Sequence, residues 1–203
     1  MTLEALKDKL HAPLPGISGQ REMMPSYRNA VSLEDIAPLQ PRKAGVIIHI
    51  FQCPQELEVL YMKRPAYDGT HSGQISFPGG ELEEYDQDLR AAAFRECEEE
   101  VNLGRGEQEF FRAMSWLYIP PSNFYVEPFI TLGATAPKVE LDPREVDRVF
   151  SIPLSKLIDG SLIQQTSIKT TYGTLVVPAY HWDGEIIWGA TAMMTAELVA
   201  LLR

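Results

Sequence analysis

The sequence predicts a mixed α/β fold in which a mixed β-sheet lies between helices, and three observations predict it. Apolar β-branched runs alternate along the chain with stretches of helical periodicity. They do so without a regular strand-helix-strand repeat. The length of 203 residues suits one hydrophobic core, because a chain of this size buries roughly 70% of its unfolded surface. Residues 1–40 read as an N-terminal extension packed on the body, and 41–203 as a single domain.

Residues 2–10 carry a short helical pattern, and Pro13, Pro15, Gly16 and Pro25 break the next stretch into an irregular lead-in whose Arg21, Met23, Met24 and Tyr27 lie against the body. Residues 44–51, Ala-Gly-Val-Ile-Ile-His-Ile-Phe, form a buried strand, and 57–62 its partner across a turn at 52–55. From Pro65 to Gly80 a long loop is expected, with a short strand at 74–77 and a tight turn at Phe77-Pro78-Gly79-Gly80. A helix comes next: Asp88 caps it, Leu89, Ala92, Ala93, Cys97 and Val101 recur with helical spacing, and Asn102 and Gly104 stop it. Strands are expected at 110–117, 125–134 and 174–181, a helical turn or strand edge at 143–150, a short helix at 154–158 and a closing helix at 190–202.

The net charge of -10 is concentrated, since nine acids and two bases fall between Glu81 and Glu100. That segment repels a nucleic-acid polymer or an anionic membrane and attracts cations. No apolar run approaches the ~20 residues that cross a bilayer, and the mixed charges of residues 1–8 exclude a secretory signal, so the expected location is the cytoplasm. Cys53 and Cys97 are too few for a disulfide framework, and His11, His49, His71 and His181 lack zinc-ligand spacing.

Glu96, Glu99 and Glu100 stand at i, i+3 and i+4, within roughly a 100° arc of one helix face. Like charges at these spacings cost roughly 0.2 to 0.5 kcal/mol per pair. Oxygen-only donors of this kind suit a hard divalent ion, Mg²⁺ or Mn²⁺; the bland alternative is a solvated acidic face. The two glycines ahead of the helix let the backbone approach a ligand or an ion.

Gly80, five residues, Asp86, eight residues, then Arg95-Glu96-Cys97-Glu98-Glu99-Glu100-Val101-Asn102-Leu103 resembles the Nudix box. The chain departs from that pattern in carrying Asp86 for Glu, one extra residue before Arg95, and Asn102 for Gly, a change that a left-handed Asn tolerates. Upstream, Leu60, Arg64, Gly73 and Phe77-Pro78-Gly79-Gly80 are similar to the extra motif of the coenzyme A pyrophosphatase branch, with Met62, Pro65 and Gly69 where that motif has Thr, Ser and a second Arg. His71 and Gln74 also look familiar, as do residues 149–154 and 188–192.

The resemblance implies an α/β/α sandwich and metal-dependent hydrolysis of the pyrophosphate bond in a nucleoside diphosphate derivative. Coenzyme A or its thioesters lead, giving adenosine 3',5'-bisphosphate and 4'-phosphopantetheine; ADP-ribose or a dinucleotide is the alternative, and a non-catalytic nucleotide-binding module the alternative of another class. Retention of Glu96, Glu99 and Glu100 speaks against the module. Carried over residue by residue, Glu96 and Glu100 are metal ligands, Glu99 a further ligand or the base, and Arg95 a catalytic-site residue that orients the carboxylates with Asp86 as partner. Gly79 or Gly80 offers a backbone carbonyl. Arg64 meets a phosphate or a surface carboxylate, and His71 donates to phosphate or is structural. Glu127 and Glu145 are outlying candidates for the base, while Met23, Met24, Tyr27, Tyr67 and Phe124 flank a substrate arm or pack. The expected partners are a small-molecule nucleotide and a second copy of the chain.

Overall fold

The computed structural model describes residues 1–66, 71–170 and 173–203. Tyr67 and Gly69, singled out in and beside the upstream motif, lie outside the described residues. In chain order the elements are α1 Leu3–Leu10, α2 Ile17–Gln20, α3 Leu33–Ile36, β1 Arg42–Gln52, β2 Leu57–Lys63, β3 Ile75–Ser76, β4 Gly79–Glu81, α4 Leu89–Val101, β5 Glu109–Ala113, β6 Leu117–Ile119, β7 Phe124–Gly133, β8 Arg148–Pro153, α5 Leu154–Ile158, β9 Ile163–Thr170, β10 Gly173–Trp182, β11 Glu185–Ile187 and α6 Gly189–Leu202.

The main sheet runs β3-β2-β1-β7-β5, with β4 also on β1, β6 on β7 and β8 on β2. It is mixed, because β1 and β7 are parallel from Arg42↔Phe124 to Phe51↔Gly133 while the other pairs are antiparallel. The unbroken apolar run of β1 reflects burial on both faces. Ile48 and Ile50 join a large core with Met193, Leu198 and Val199 of α6, and Ile47 and Phe51 join a second with Ala93, Cys97 and Val101 of α4. The sheet therefore lies between α4 and α6, as expected. Leu6, Leu10 and Met23 are fully buried in the α6-side core, each contributing roughly 1.5 to 3 kcal/mol.

Four expectations need correction. Residues 79–81 are a strand paired to β1 through Ala44↔Glu81 and Val46↔Gly79, not part of a tight turn. The single strand expected at 110–117 is two, β5 and β6, with an irregular register between Phe110 and Arg112. Residues 143–150 divide into a turn and the start of β8. A separate antiparallel sheet, β11-β10-β9, contains two unexpected strands, the short Glu185–Ile187 and the longer Ile163–Thr170. The residues of the longer one alternate in exposure and are mostly polar, so no apolar run marks it.

His49 sits on the α4 side of β1, 1% exposed. Thr131 donates to Gln108 Oε1 at 2.8 Å, so its hydroxyl is left to accept from His49 Nδ1 at 2.9 Å. Nε2 then carries the lone pair, buried without a partner. Burial pushes the imidazole down from 6.5 to about 4. Between these values the unfolded chain binds a proton that the folded chain does not, so stability falls as pH drops through that window, by about 3 kcal/mol in full. Urea unfolding at pH 7 and pH 4.5 should show a pH dependence shallower by about 2 kcal/mol in His49→Gln; parallel profiles would remove His49 as the cause.

Candidate active site

Helix α4 starts where Asp88 accepts from Ala91 N–H at 2.7 Å and ends at left-handed Asn102 (φ 56°), whose N–H donates to the Glu98 carbonyl. Both caps are those the sequence predicts, and Ala92, Ala93, Phe94, Cys97 and Val101 seat the helix on the sheet. Cys97 is a buried, inert thiol, its pKa pushed up by burial to about 12.

Close approach of α4, β1 and β4 depends on three glycines. A Cβ on Gly45 would meet the Leu89 carbonyl oxygen at 2.2 Å, and one on Gly79, whose φ is 141°, would meet the Gly45 carbonyl oxygen at 2.3 Å. At Gly80 it would meet the Glu96 carboxyl carbon at 2.4 Å. The glycine pair thus admits a neighbouring strand and a side chain of α4, where the sequence suggested only a ligand or an ion.

The three glutamates of the helix face have different surroundings. Glu100 is 1% exposed and accepts from Gly79 N–H at 2.8 Å. Its nearest cation is Arg64, 3.6 Å away. Burial raises its carboxyl to about 8, against the pull of Arg64 and the Gly79 N–H. Glu96 is half-buried and also raised, chiefly by burial. Glu99, by contrast, is 58% exposed and lies against Arg95.

Arg95 forms the hub anticipated from sequence. It grips Asp86 with two bonds, 3.0 and 2.8 Å, and reaches Glu96 at 2.7 Å, Glu99 at 3.3 Å and the Glu81 carbonyl at 3.1 Å. Such a fork fixes carboxylate orientation as well as charge. Asp86 is held below its ordinary range, first by this hydrogen bond.

The sequence offered Glu145 only as a candidate base. The structure brings its carboxylate to Glu96 and Glu100, with one oxygen of each within 4.8 Å of the others. The segment after β7 is tied down by Glu140 N–H to the Val101 carbonyl and Asp142 N–H to the Glu100 carbonyl, while Val146 is buried against the α4-side core. A turn from Asp142 to Glu145 then presents the side chain. Glu99, expected as a ligand, is outside this group of three. Glu127 is also outside it, on β7 opposite Gly45, its carboxyl raised by burial and then by Asp88.

Three converging carboxylates, one buried beside a single arginine, fit a hard divalent cation by the chemistry of the donor set. When bound, such an ion neutralises phosphate charge and activates water. Among the other expected residues, His71 has both ring nitrogens engaged, with Gln74 at 2.9 Å and Ser122 at 3.0 Å. Met23 is core, Tyr27 is exposed and Phe124 lies under the Arg42 guanidinium.

Residues 41–171 match the NUDIX domain family. Over 157 residues the chain is 29% identical to the Nudix hydrolase NudL of Photorhabdus laumondii, covering 77% of this chain and 83% of that protein. It is 28% identical over 166 residues to the mitochondrial coenzyme A diphosphatase NUDT8 of Homo sapiens, covering 80% and 70%. In fold it is similar to a Nudix hydrolase from Alicyclobacillus acidocaldarius, with a TM-score of 0.56 and 16% identity over 79% of this chain and 91% of that one. No described helix is long and apolar enough to cross a membrane. With the domain match spanning the carboxylate cluster, the glycine pair and the upstream motif, the chain belongs to the Nudix family of pyrophosphohydrolases.

Proposed function

We propose that the chain is a Mg²⁺- or Mn²⁺-dependent pyrophosphatase of coenzyme A or its thioesters, releasing adenosine 3',5'-bisphosphate and 4'-phosphopantetheine in the cytoplasm. The observation that carries this reading is the 3.6 Å ion pair between Arg64 of the upstream motif and buried Glu100 of the box. It joins the two sequence motifs in one place. The human relative named as a coenzyme A diphosphatase supports the same substrate.

The roles rest on the surroundings of each residue. Glu96, Glu100 and Glu145, whose carboxylate oxygens converge, would hold the cation. Arg95 fixes Glu96 through its 2.7 Å bond while Asp86 fixes Arg95. Glu99, exposed and outside the group of three, is the candidate to take the water proton, with Glu127 as the other. Arg64, 3.6 Å from Glu100, is the residue we assign to a substrate phosphate.

Incubation with coenzyme A, dephospho-coenzyme A and ADP-ribose plus either metal, with products identified by mass, tests the substrate. Coenzyme A should exceed ADP-ribose in kcat/KM by roughly ten- to a hundred-fold, the range of one charged contact. Equal rates on all three would indicate a generic diphosphatase.

A further inference from the structure

Two arginines of the N-terminal segment share a groove that the proposed chemistry does not use. Arg21 and Arg28 line an open cavity of about 320 Å³ together with Ser26 and Asn29, against Met24 and Pro25. No acid lines it, in a chain whose net charge is -10. Arg28 is half-buried. Its guanidinium donates to the Tyr118 carbonyl and lies 3.3 Å from the Met193 sulfur, neither of which neutralises it. Among the described residues no carboxylate comes within ion-pair distance of either arginine, although such pairs are spread over the rest of the surface.

A partly desolvated guanidinium ordinarily has an anion beside it. Burial lowers the proton affinity of Arg28, in keeping with that missing partner. Two guanidinium forks, a hydroxyl and an amide supply more donors than the two oxygens of a carboxylate accept. A phosphate monoester has three terminal oxygens and matches them. We propose that this groove binds a phosphate monoester.

Its position separates it from the carboxylates. Arg28 contacts Met193 of α6, which packs on the Ile48 and Ile50 face of β1. Glu96 and Glu100 belong to α4, which packs on the Ile47 and Phe51 face. The phosphate is carried by a separate small molecule or by the far end of a substrate that passes around the sheet edge.

Binding is measured with the full chain in EDTA, by calorimetric titration of inorganic phosphate against chloride at equal ionic strength. Neither the metal nor turnover enters, so failure of the proposed activity leaves this test intact. Saturable one-site binding is expected, weakened about ten- to a hundred-fold in Arg21→Gln and in Arg28→Gln. Arg21 is exposed, so its variant reports even where loss of the Tyr118 contact unfolds the other. Absence of saturable binding, or equal affinity in wild type and Arg21→Gln, overturns the proposal. With binding established, kinetics assign the source. A raised KM for coenzyme A but not dephospho-coenzyme A in Arg21→Gln places the substrate's own phosphate in the groove, and unchanged KM for both, with phosphate still bound at saturating substrate, places a separate molecule there.

Discussion

Glu100→Gln should lower kcat by about two to three orders of magnitude while leaving the fold intact. Glu100 is buried with its carboxyl raised to about 8, so without a cation burial draws it towards the neutral form even beside Arg64. Glutamine copies that neutral form in shape, and its carbonyl still accepts from Gly79 N–H, now 2.8 Å from Oε2. Thermal stability in EDTA should therefore stay the same or rise. What the variant loses is the ability to become a charged donor next to Glu96 and Glu145. A ligand that binds only the folded state stabilises it by about 2.7 kcal/mol at a hundredfold excess over Kd. Mg²⁺ or Mn²⁺ should thus raise the Tm of the wild type and leave that of the variant nearly unmoved. Glu96→Gln should behave likewise with a smaller change in EDTA, because Glu96 is only half-buried. Undiminished turnover in EDTA, or in both variants, would exclude the carboxylate group as the seat of the reaction.

How far the site is readable in the sequence depends on how local each interaction is. Arg95, Asp86, Glu96 and Glu100 lie within fifteen residues on one helix and its lead-in, so helical spacing already places them together. The Asp88 and Asn102 caps are readable for the same reason. Glu145 is not, since it reaches the cluster through a turn pinned to α4 by backbone bonds from Glu140 and Asp142. Backbone bonds leave no residue pattern. The glycines read as serving a ligand because a sequence does not show that Gly79 faces the Gly45 carbonyl, thirty-four residues away. The polar strand β9 escapes a pattern of apolar runs because it covers no continuous apolar face.

The largest remaining effect is expected at Arg95. Its guanidinium contacts Asp86, Glu96 and Glu99 and the Glu81 carbonyl, so Arg95→Ala leaves three carboxylates close together without their cation. Glu96 then loses the bond that aims it. Residues that orient metal ligands typically cost 10- to 100-fold in affinity or activity when removed, and a rise of about that size is expected in the metal concentration for half-maximal rate. Because the defect lies in the carboxylates, the factor should be the same for coenzyme A and ADP-ribose. Arg95→Lys keeps the charge but loses the fork on Asp86, and should recover only part of the loss. Arg64 contacts one carboxylate, Glu100, at 3.6 Å. If it passes to a substrate phosphate, Arg64→Ala should raise KM by a factor that differs between the two substrates. Metal titrations of both variants on both substrates separate these cases: a substrate-dependent factor for Arg95 and a uniform one for Arg64 would mean that the orienting and phosphate-reading roles belong to the opposite arginines.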